Sequence, residues 1–131
     1  MGIRELAEQA QTEVRSINVD ETLPRHGDGD LVFVDVRDIR ELERDGTIAD
    51  AHHAPRGMIE FWFDPESPYH REILGETEKT YVLFCNAEWR SALCAKSLQD
   101  MGINNVVQLF GGLPAWKAAG GPVVDKKRKA E

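Results

Sequence analysis

Length, composition and charge restrict the classes of protein to which this chain can belong. The sequence has 131 residues, 41% of them hydrophobic and 30% charged, with a formal net charge of -7, as is typical of one soluble globular domain. No apolar run approaches the roughly 20 residues of a transmembrane helix, and the N-terminal MGIRELAEQAQTEVR is too polar for a secretory leader. An acidic chain repels nucleic acid and anionic lipid. We therefore expect neither as a partner, and we predict a cytoplasmic location.

The N-terminal half of the chain begins with alternating helix and strand patterns. Residues 3–11 predict a short helix, and residues 14–17 predict a short strand. A nearly continuous apolar, β-branched run follows at residues 31–36, after the turn residues 27–30. Continuous rather than alternating hydrophobicity is typical of a strand that is covered on both faces, as in a parallel sheet.

A helix with clear end signals follows this strand. Over residues 38–46, Asp38 is placed as the N-cap, Glu41 occupies the capping-box position and Gly46 marks the end. Residues 47–73 are punctuated by proline and glycine, which predicts irregular structure. Because this segment also carries aromatic residues, part of it is expected to pack against the core.

The C-terminal half of the chain repeats the alternation. Residues 79–85 predict a second buried strand, residues 90–102 a helix, and residues 104–112 a third strand. Residues 113–121 predict a final short helix in which Trp116 is a core anchor. Strands that alternate with helices predict an α/β fold with a parallel sheet.

Cys85 stands where the second buried strand stops and a helix begins, five positions before Arg90. In open parallel sheets, ligands bind beyond the carboxyl ends of the strands. Backbone N–H groups of the loop, the positive end of the helix dipole and the Arg90 guanidinium each stabilise a thiolate. The junction therefore predicts a reactive, anion-binding sulfur that solvent can reach. The alternative is a structural cysteine buried at a strand end.

The second cysteine and the histidines receive less specific roles. Cys94 is predicted to be a small core residue of the helix, with a resolving thiol for Cys85 as the alternative. We treat both cysteines as free thiols, because two cysteines in a cytosolic context do not make a disulfide framework. The adjacent His52 and His53 cannot easily face one metal ion together. No metal site is predicted, and His53 is expected to pack or hydrogen-bond within its loop.

Three motifs, in order along the chain, resemble those of rhodanese-like domains. VDVRDIRE, residues 34–41, resembles the D-V-R-x-x-x-E segment of the family, matched at Asp35, Val36, Arg37 and Glu41. CNAEWR, residues 85–90, resembles the C-x4-R active-site loop, and GGLPAW, residues 111–116, resembles the terminal G-G-x-x-A-W segment.

The resemblance implies a fold and domain boundaries. We expect a five-stranded, mostly parallel sheet flanked by helices on both faces. The rhodanese-like domain is expected at residues 13–124, after an N-terminal helical extension at residues 1–12. The basic run near the end of the chain predicts a disordered tail at residues 125–131.

The resemblance also implies sulfur transfer by covalent catalysis. Cys85 attacks the outer sulfur of a donor such as thiosulfate, becomes a persulfide, and passes the sulfur to an acceptor thiol or cyanide. The implied persulfide cradle is Asn86, Ala87, Glu88, Trp89, Arg90 and Ser91. Asp35, Arg37 and Arg56 are expected to support or line the pocket; the alternatives are a fold-stabilising Asp35–Arg37 salt bridge and a surface arginine at position 56.

No metal or organic cofactor is implied by this chemistry. The expected partners are a small sulfur donor or acceptor, or the thiol of a partner protein. We expect the protein to be a monomer or a weak homodimer.

Two details of the loop bear on the substrate. Phosphatases and arsenate reductases of the related fold have a C-x5-R loop, so the four residues between Cys85 and Arg90 favour sulfur transfer. Glu88 replaces the glycine that many rhodanese-like loops carry. Its carboxylate either opposes the thiolate, or points outward and pairs with Arg37, Arg56 or Arg90.

Two further functions stay open from the sequence. One is a non-catalytic interaction module that keeps the fold, and the other is a redox-responsive protein that uses the Cys85 thiol alone.

Overall fold

A five-stranded parallel sheet organises the chain. The computed structural model describes residues 1–126. The sheet consists of β1 (Ser16–Ile17), β2 (Leu31–Asp35), β4 (His52–His53), β5 (Thr80–Phe84) and β6 (Val106–Leu109). Its strand order is β1-β6-β5-β2-β4, and every neighbouring pair is parallel. A small antiparallel pair joins β3 (Thr47–Ile48) to β7 (Val123–Val124).

Helices cover both faces of the sheet, as the resemblance implied. The helices are α1 (Ile3–Glu13), α2 (Val19–Thr22), α3 (Ile39–Asp45), α4 (Ile59–Phe63), α5 (Trp89–Asp100) and α6 (Gly112–Ala118). One apolar cluster packs α1, α4 and α5 on one face, and a second packs α2 and α6 on the other. Trp116 is fully buried in the second cluster, so its predicted role as a core anchor is confirmed.

Local sequence signals place the ends of α3 correctly. The Asp38 carboxylate accepts the Arg40 N–H, the Glu41 side chain accepts the Asp38 N–H, and Gly46 ends the helix with a positive φ of 77°. The helix therefore begins and ends where its capping residues predict.

The prediction of irregular structure for residues 47–73 is only partly correct. This segment contains β3, β4, α4 and a short 3-10 helix at Glu72–Leu74. In α4, Ile59 and Phe63 are buried against the core. Helices of one turn gain most of their stability from such tertiary packing, which leaves little trace in local sequence periodicity.

The N-terminal helix packs against α5. Ala7 and Ala10 are buried, and Lys96 on α5 forms an ion pair with Glu13, with 3.0 Å between Lys96 Nζ and Glu13 Oε2. Over residues 1–126, no helix combines the length and the apolar character that crossing a membrane requires. The predicted basic tail at residues 125–131 falls largely outside the described residues, which end at residue 126.

Candidate active site

The carboxyl ends of β2 and β5 bring the candidate residues together. Asp35 and Phe84 are partners in the parallel register, so the residues that follow each strand lie at one edge of the sheet. Cys85 follows β5 directly, and the loop of residues 86–88 leads into α5. The predicted strand–loop–helix arrangement around the thiol is present.

The loop presents unpaired donors beside the sulfur. Within residues 1–126, no protein group accepts a hydrogen bond from the backbone N–H groups of residues 86–91. Glu88 has a left-handed conformation, with φ 69° and ψ -12°, and such a change of hand turns successive N–H groups toward a common concave side. Together with the amino end of the 12-residue helix α5, these donors suit an anion.

The Cys85 thiol is less open than the sequence predicts. Its residue is only 1% exposed, so the expectation of a sulfur freely reached by solvent is wrong. The Cys85 Sγ atom lies 3.5 Å from Ser91 Oγ. Cys85 also belongs to the apolar cluster that packs α1, α4 and α5 against the sheet.

Arg90 is held by an ion pair with Glu41. Arg90 Nη1 lies 2.7 Å from Glu41 Oε2, and Arg90 Nη2 lies 3.2 Å from Glu41 Oε1. The hydrogen bonds from Arg90 hold the pKa of the Glu41 carboxyl below its usual range. The guanidinium is therefore fixed in position at the head of α5 by a carboxylate from α3.

Asp35 and Arg37 form a fully buried ion pair. Arg37 donates from its backbone N–H and its guanidinium to the Asp35 carboxylate, and Thr47 donates its hydroxyl to the same carboxylate at 2.7 Å. Arg37 also donates to the Gly46 carbonyl at 2.7 Å and lies 3.5 Å from Asn86 Oδ1. The pair is thus the fold-stabilising salt bridge of the alternative prediction, and it also reaches the first residue of the loop.

Glu88 does not make the arginine pairing that the sequence suggests. Its Oε1 atom accepts a hydrogen bond from Gln108 Nε2 at 3.4 Å, while Arg90 bonds Glu41. Of the two alternatives for Glu88, the one that pairs it with Arg37, Arg56 or Arg90 is therefore wrong. Gln108 is absent from the sequence prediction, because a polar residue in the middle of an apolar strand becomes informative only when its neighbours are known.

The arrangement of a cysteine, a four-residue loop and an arginine at the head of a helix matches a known family. The family model of the rhodanese-like domain matches residues 18–119, which is most of the chain. This chain belongs to the rhodanese-like domain family. The fold and family that the sequence motifs imply are both confirmed.

Relatives of this rhodanese-like domain carry different names. A protein of Allochromatium vinosum named sulfurtransferase is 30% identical over 95 residues, which is 72% of this chain and 79% of the relative. An uncharacterised Synechocystis protein is 34% identical over 98 residues, or 74% of this chain; the matched part is about half (49%) of that relative's length. A structure from Rhodopseudomonas palustris, described as a possible tyrosine phosphatase, has 42% identity, a TM-score of 0.88 and 95% coverage of both chains.

The remaining cradle residues of the rhodanese-like loop differ in exposure. Ala87 is exposed, whereas Trp89 is partly buried and begins α5. Ser91 is fully buried, and its hydroxyl lies 3.0 Å from Gln108 Oε1. The structure thus brings residues 85–91 together in one loop and the first helical turn.

A cleft of about 450 Å³ opens beside this loop. It is lined by side chains of both signs, including Arg56, Arg90, Asp38 and Glu60. Arg56 is exposed and also lines the cleft, so it is both a surface arginine and a cleft-lining residue. Cys94, rather than Cys85, is the cysteine whose atoms line the cleft.

Cys94 is a core residue. It is 1% exposed, and burial raises the pKa of its thiol to about 12. The prediction of a small core residue is confirmed, and both cysteines are free thiols. A thiol that stays protonated at neutral pH is a poor nucleophile, which disfavours a resolving role.

Gly112 belongs to the predicted terminal G-G motif, but its packing against the cysteine loop was not predicted. A Cβ atom at this position would lie 2.3 Å from the Cys85 carbonyl oxygen and 2.8 Å from that of Asn86, and the φ angle is 59°. The neighbouring Leu113 N–H donates to the Cys85 carbonyl at 2.9 Å. The terminal G-G segment therefore packs directly against the cysteine loop, where only glycine fits.

The histidines do not cluster. His53 bonds the Arg37 carbonyl through Nε2 at 2.7 Å, so its predicted hydrogen-bonding role in the loop is confirmed. In the described part of the chain, no group of three or more potential ligands is arranged to hold a metal ion.

Proposed function

We propose that this rhodanese-like domain is a sulfurtransferase that carries sulfane sulfur as a persulfide on Cys85. The observation that carries the proposal is the loop of residues 86–91, which directly follows Cys85 and whose backbone N–H groups are unpaired within the described chain. Arg90, fixed by Glu41, adds a positive charge at the same helix end. A site of this kind stabilises a thiolate and then a persulfide anion.

The proposed reaction has two displacement steps. The Cys85 thiolate attacks the outer sulfur of the donor, a new S–S bond forms, and the S–S bond within the donor breaks. With thiosulfate, sulfite leaves with the bonding electron pair. An acceptor thiolate or cyanide then attacks the outer sulfur of the persulfide, which regenerates the Cys85 thiolate. Two-electron displacement needs no external oxidant or reductant.

Loop length supports sulfur transfer over phosphate transfer. Four residues separate Cys85 from Arg90, and a loop of this size encloses a single sulfur atom more closely than a tetrahedral oxyanion. The Rhodopseudomonas structure described as a possible tyrosine phosphatase supports the competing function. An assay with an aryl phosphate separates the two, since the proposal expects no phosphate release that depends on Cys85.

The cleft has side chains of both charges, which affects the charge of the sulfur donor that it can bind. Arg56 and Arg90 attract an anionic donor, whereas Asp38 and Glu60 oppose one. We therefore propose two donor classes, a thiosulfate-like anion and the persulfide of a partner protein. The acceptor is a small thiophile or a partner thiol.

Intact mass after treatment with a sulfur donor tests the proposal. The reduced protein is incubated with thiosulfate or with a low-molecular-weight persulfide and then desalted. We expect a gain of about 32 Da, one sulfur atom, that cyanide or reductant removes. Cys94→Ala is the matched control and should gain the same mass, whereas Cys85→Ala should gain none. If no donor adds sulfur to the folded protein, the proposal is wrong.

The burial of Cys85 favours a second candidate function. A thiol that is 1% exposed is also what a non-catalytic rhodanese-fold interaction module would contain. In that case the mass stays unchanged with every sulfur donor. A redox-responsive thiol would instead gain about 16 Da under dilute peroxide, as the sulfenic acid forms.

A further inference from the structure

The Ser91 hydroxyl has three neighbours but only one proton. Its Oγ atom lies 3.0 Å from Gln108 Oε1, 3.2 Å from the Glu88 carbonyl oxygen and 3.5 Å from Cys85 Sγ. The amide and carbonyl oxygens only accept hydrogen bonds, so the serine proton goes to one of them. Ser91 is thereby left to accept a hydrogen bond from the Cys85 thiol, which favours the neutral S–H form.

Glu88 fixes the orientation of the Gln108 amide. Gln108 Nε2 donates to Ser16 Oγ at 2.9 Å and to Glu88 Oε1 at 3.4 Å. If the amide turned over, its oxygen would face the Glu88 carboxylate, and two acceptors would repel each other. The carboxylate therefore holds Gln108 Oε1 toward Ser91.

A thiolate or persulfide at Cys85 favours the opposite arrangement of the Ser91 hydroxyl. An ionised sulfur has no proton to give, so Ser91 can stabilise it, in addition to the loop amides, only by turning its own proton toward the sulfur. Gln108 Oε1 would then lose its donor, and this residue is only 1% exposed. A buried acceptor without a partner is costly. The penalty is avoided if the amide turns over, which the charge on Glu88 opposes.

We propose that Gln108 is a positioning residue that transmits the charge of Glu88 to Cys85 through Ser91 and so favours the neutral thiol. Neutralising Glu88 by a proton, a cation or a bound partner releases the amide. Ser91 then becomes a donor to the sulfur. The inference rests on the proposed role of Cys85 as the reacting group, and it gives a reason for an acidic residue at a left-handed position that favours glycine.

Other charged and titratable groups lie on the elements around the cysteine loop and stay constant in the test. They are Asp35 at the end of β2, Arg37 after it, Glu41 on α3, His53 on β4, Arg56 after β4, Glu60 on α4, and Arg90 and Cys94 on α5. From β1 and β6, the neutral Ser16 and Gln108 take part in the network.

The pH dependence of Cys85 alkylation tests this transmission from Glu88 through Gln108 and Ser91 to Cys85. Iodoacetamide reacts with the thiolate, and peptide mass mapping separates Cys85 from Cys94. In Glu88→Gln we expect the pH of half-maximal reactivity to fall by about one unit, or about a tenfold faster reaction at a fixed pH below it. In Gln108→Met, which keeps the Glu88 charge, we expect a fall of the same sign. A purely through-space effect of Glu88 predicts no fall in Gln108→Met.

Measurements in the Ser91→Ala protein distinguish transmission through Gln108 and Ser91 from a direct electrostatic effect of Glu88 on Cys85. In Ser91→Ala, the substitution Glu88→Gln should no longer move the alkylation midpoint, because the connecting hydroxyl is gone. An equal shift in both backgrounds, or no shift in Gln108→Met, would overturn the inference. If Gln108→Met does not fold, the Glu88 and Ser91 variants decide alone. The alkylation rate reports the ionisation of the Cys85 thiol and does not require sulfur transfer. If the protein accepts no sulfur from any donor, the alkylation experiment therefore still tests the role of Gln108.

Discussion

Arg90 and Glu41 form a two-point ion pair that joins the head of α5 to the first turn of α3. Both guanidinium Nη atoms reach the carboxylate, at 2.7 and 3.2 Å. Glu41 also accepts the Asp38 N–H at 3.1 Å in the capping box. One carboxylate therefore completes the cap of α3 and holds the arginine of the cysteine loop, which couples two segments 49 positions apart in sequence.

The first prediction concerns the pH dependence of this pair. Because the hydrogen bonds from Arg90 lower the pKa of Glu41 in the folded protein, the pair stabilises the fold fully above the unfolded pKa of about 4.3. That contribution is lost as the pH falls through the lower folded pKa. Glu41→Gln should therefore lower the free energy of unfolding by up to about 1 kcal/mol at pH 7, and by less near pH 3.

Urea titrations of both proteins at several pH values provide the measurement. Asp45→Asn, which breaks the exposed Arg44–Asp45 pair, is the control and should change stability by less than about 0.5 kcal/mol. A Glu41→Gln penalty that stays constant from pH 7 to below pH 4 would contradict the assigned coupling.

The second prediction concerns the buried pair of Asp35 and Arg37. Both side chains are 0% exposed, and breaking a buried pair leaves a charge without a partner, at about 3–5 kcal/mol. We expect Asp35→Asn to lower the free energy of unfolding by about 3 kcal/mol, as measured by urea denaturation. Replacing both residues by apolar ones should be less harmful than replacing Asp35 alone. Equal losses would show that the pair does not act as a unit.

Sequence alone predicted the parts of the molecule that depend on local patterns. The caps Asp38 and Gly46 lie within one turn of the residues they serve, so α3 could be placed. The C-x4-R motif and the continuous apolar strands gave the family and the parallel sheet. These signals do not require knowledge of distant neighbours.

The errors in the candidate site arise from contacts that are distant in sequence. Glu88 bonds Gln108, 20 positions away, and Gly112 packs under Cys85 from the following strand–helix turn. The burial of Cys85 likewise depends on an apolar cluster drawn from α1, α4, α5 and the sheet, which the loop sequence does not reveal. The spacing of the C-x4-R motif places Cys85 and Arg90 at one edge of the sheet. It does not identify the residues from other segments that contact them.

The third prediction concerns the backbone of Glu88. A φ of 69° is unfavourable for any residue with a Cβ atom. Glu88→Gly and Glu88→Ala both remove the carboxylate, so their difference isolates the backbone. We expect the glycine variant to be the more stable by about 1 kcal/mol in thermal or urea unfolding. At Glu8, on the exposed face of α1, the order should reverse, because alanine favours a helix. An alanine variant at position 88 that equals glycine would show that the left-handed turn is not retained.

The fourth prediction concerns the contact between Gly112 and the cysteine loop. A methyl group at Gly112 would meet two backbone carbonyl oxygens at 2.3 and 2.8 Å, and backbone cannot move aside as a side chain can. We expect Gly112→Ala to lower the free energy of unfolding by more than about 3 kcal/mol and to disturb the Cys85 loop.

Gly120→Ala is the matched control, since Gly120 also has a positive φ, of 81°, but has open space around its Cβ direction. That variant should lose only about 1 kcal/mol. If both variants lost a comparable free energy of unfolding, glycine would be needed at position 112 for its φ angle alone. A loss confined to Gly112, accompanied by a change in Cys85 alkylation rate, would show that the terminal glycine segment supports the active-site loop.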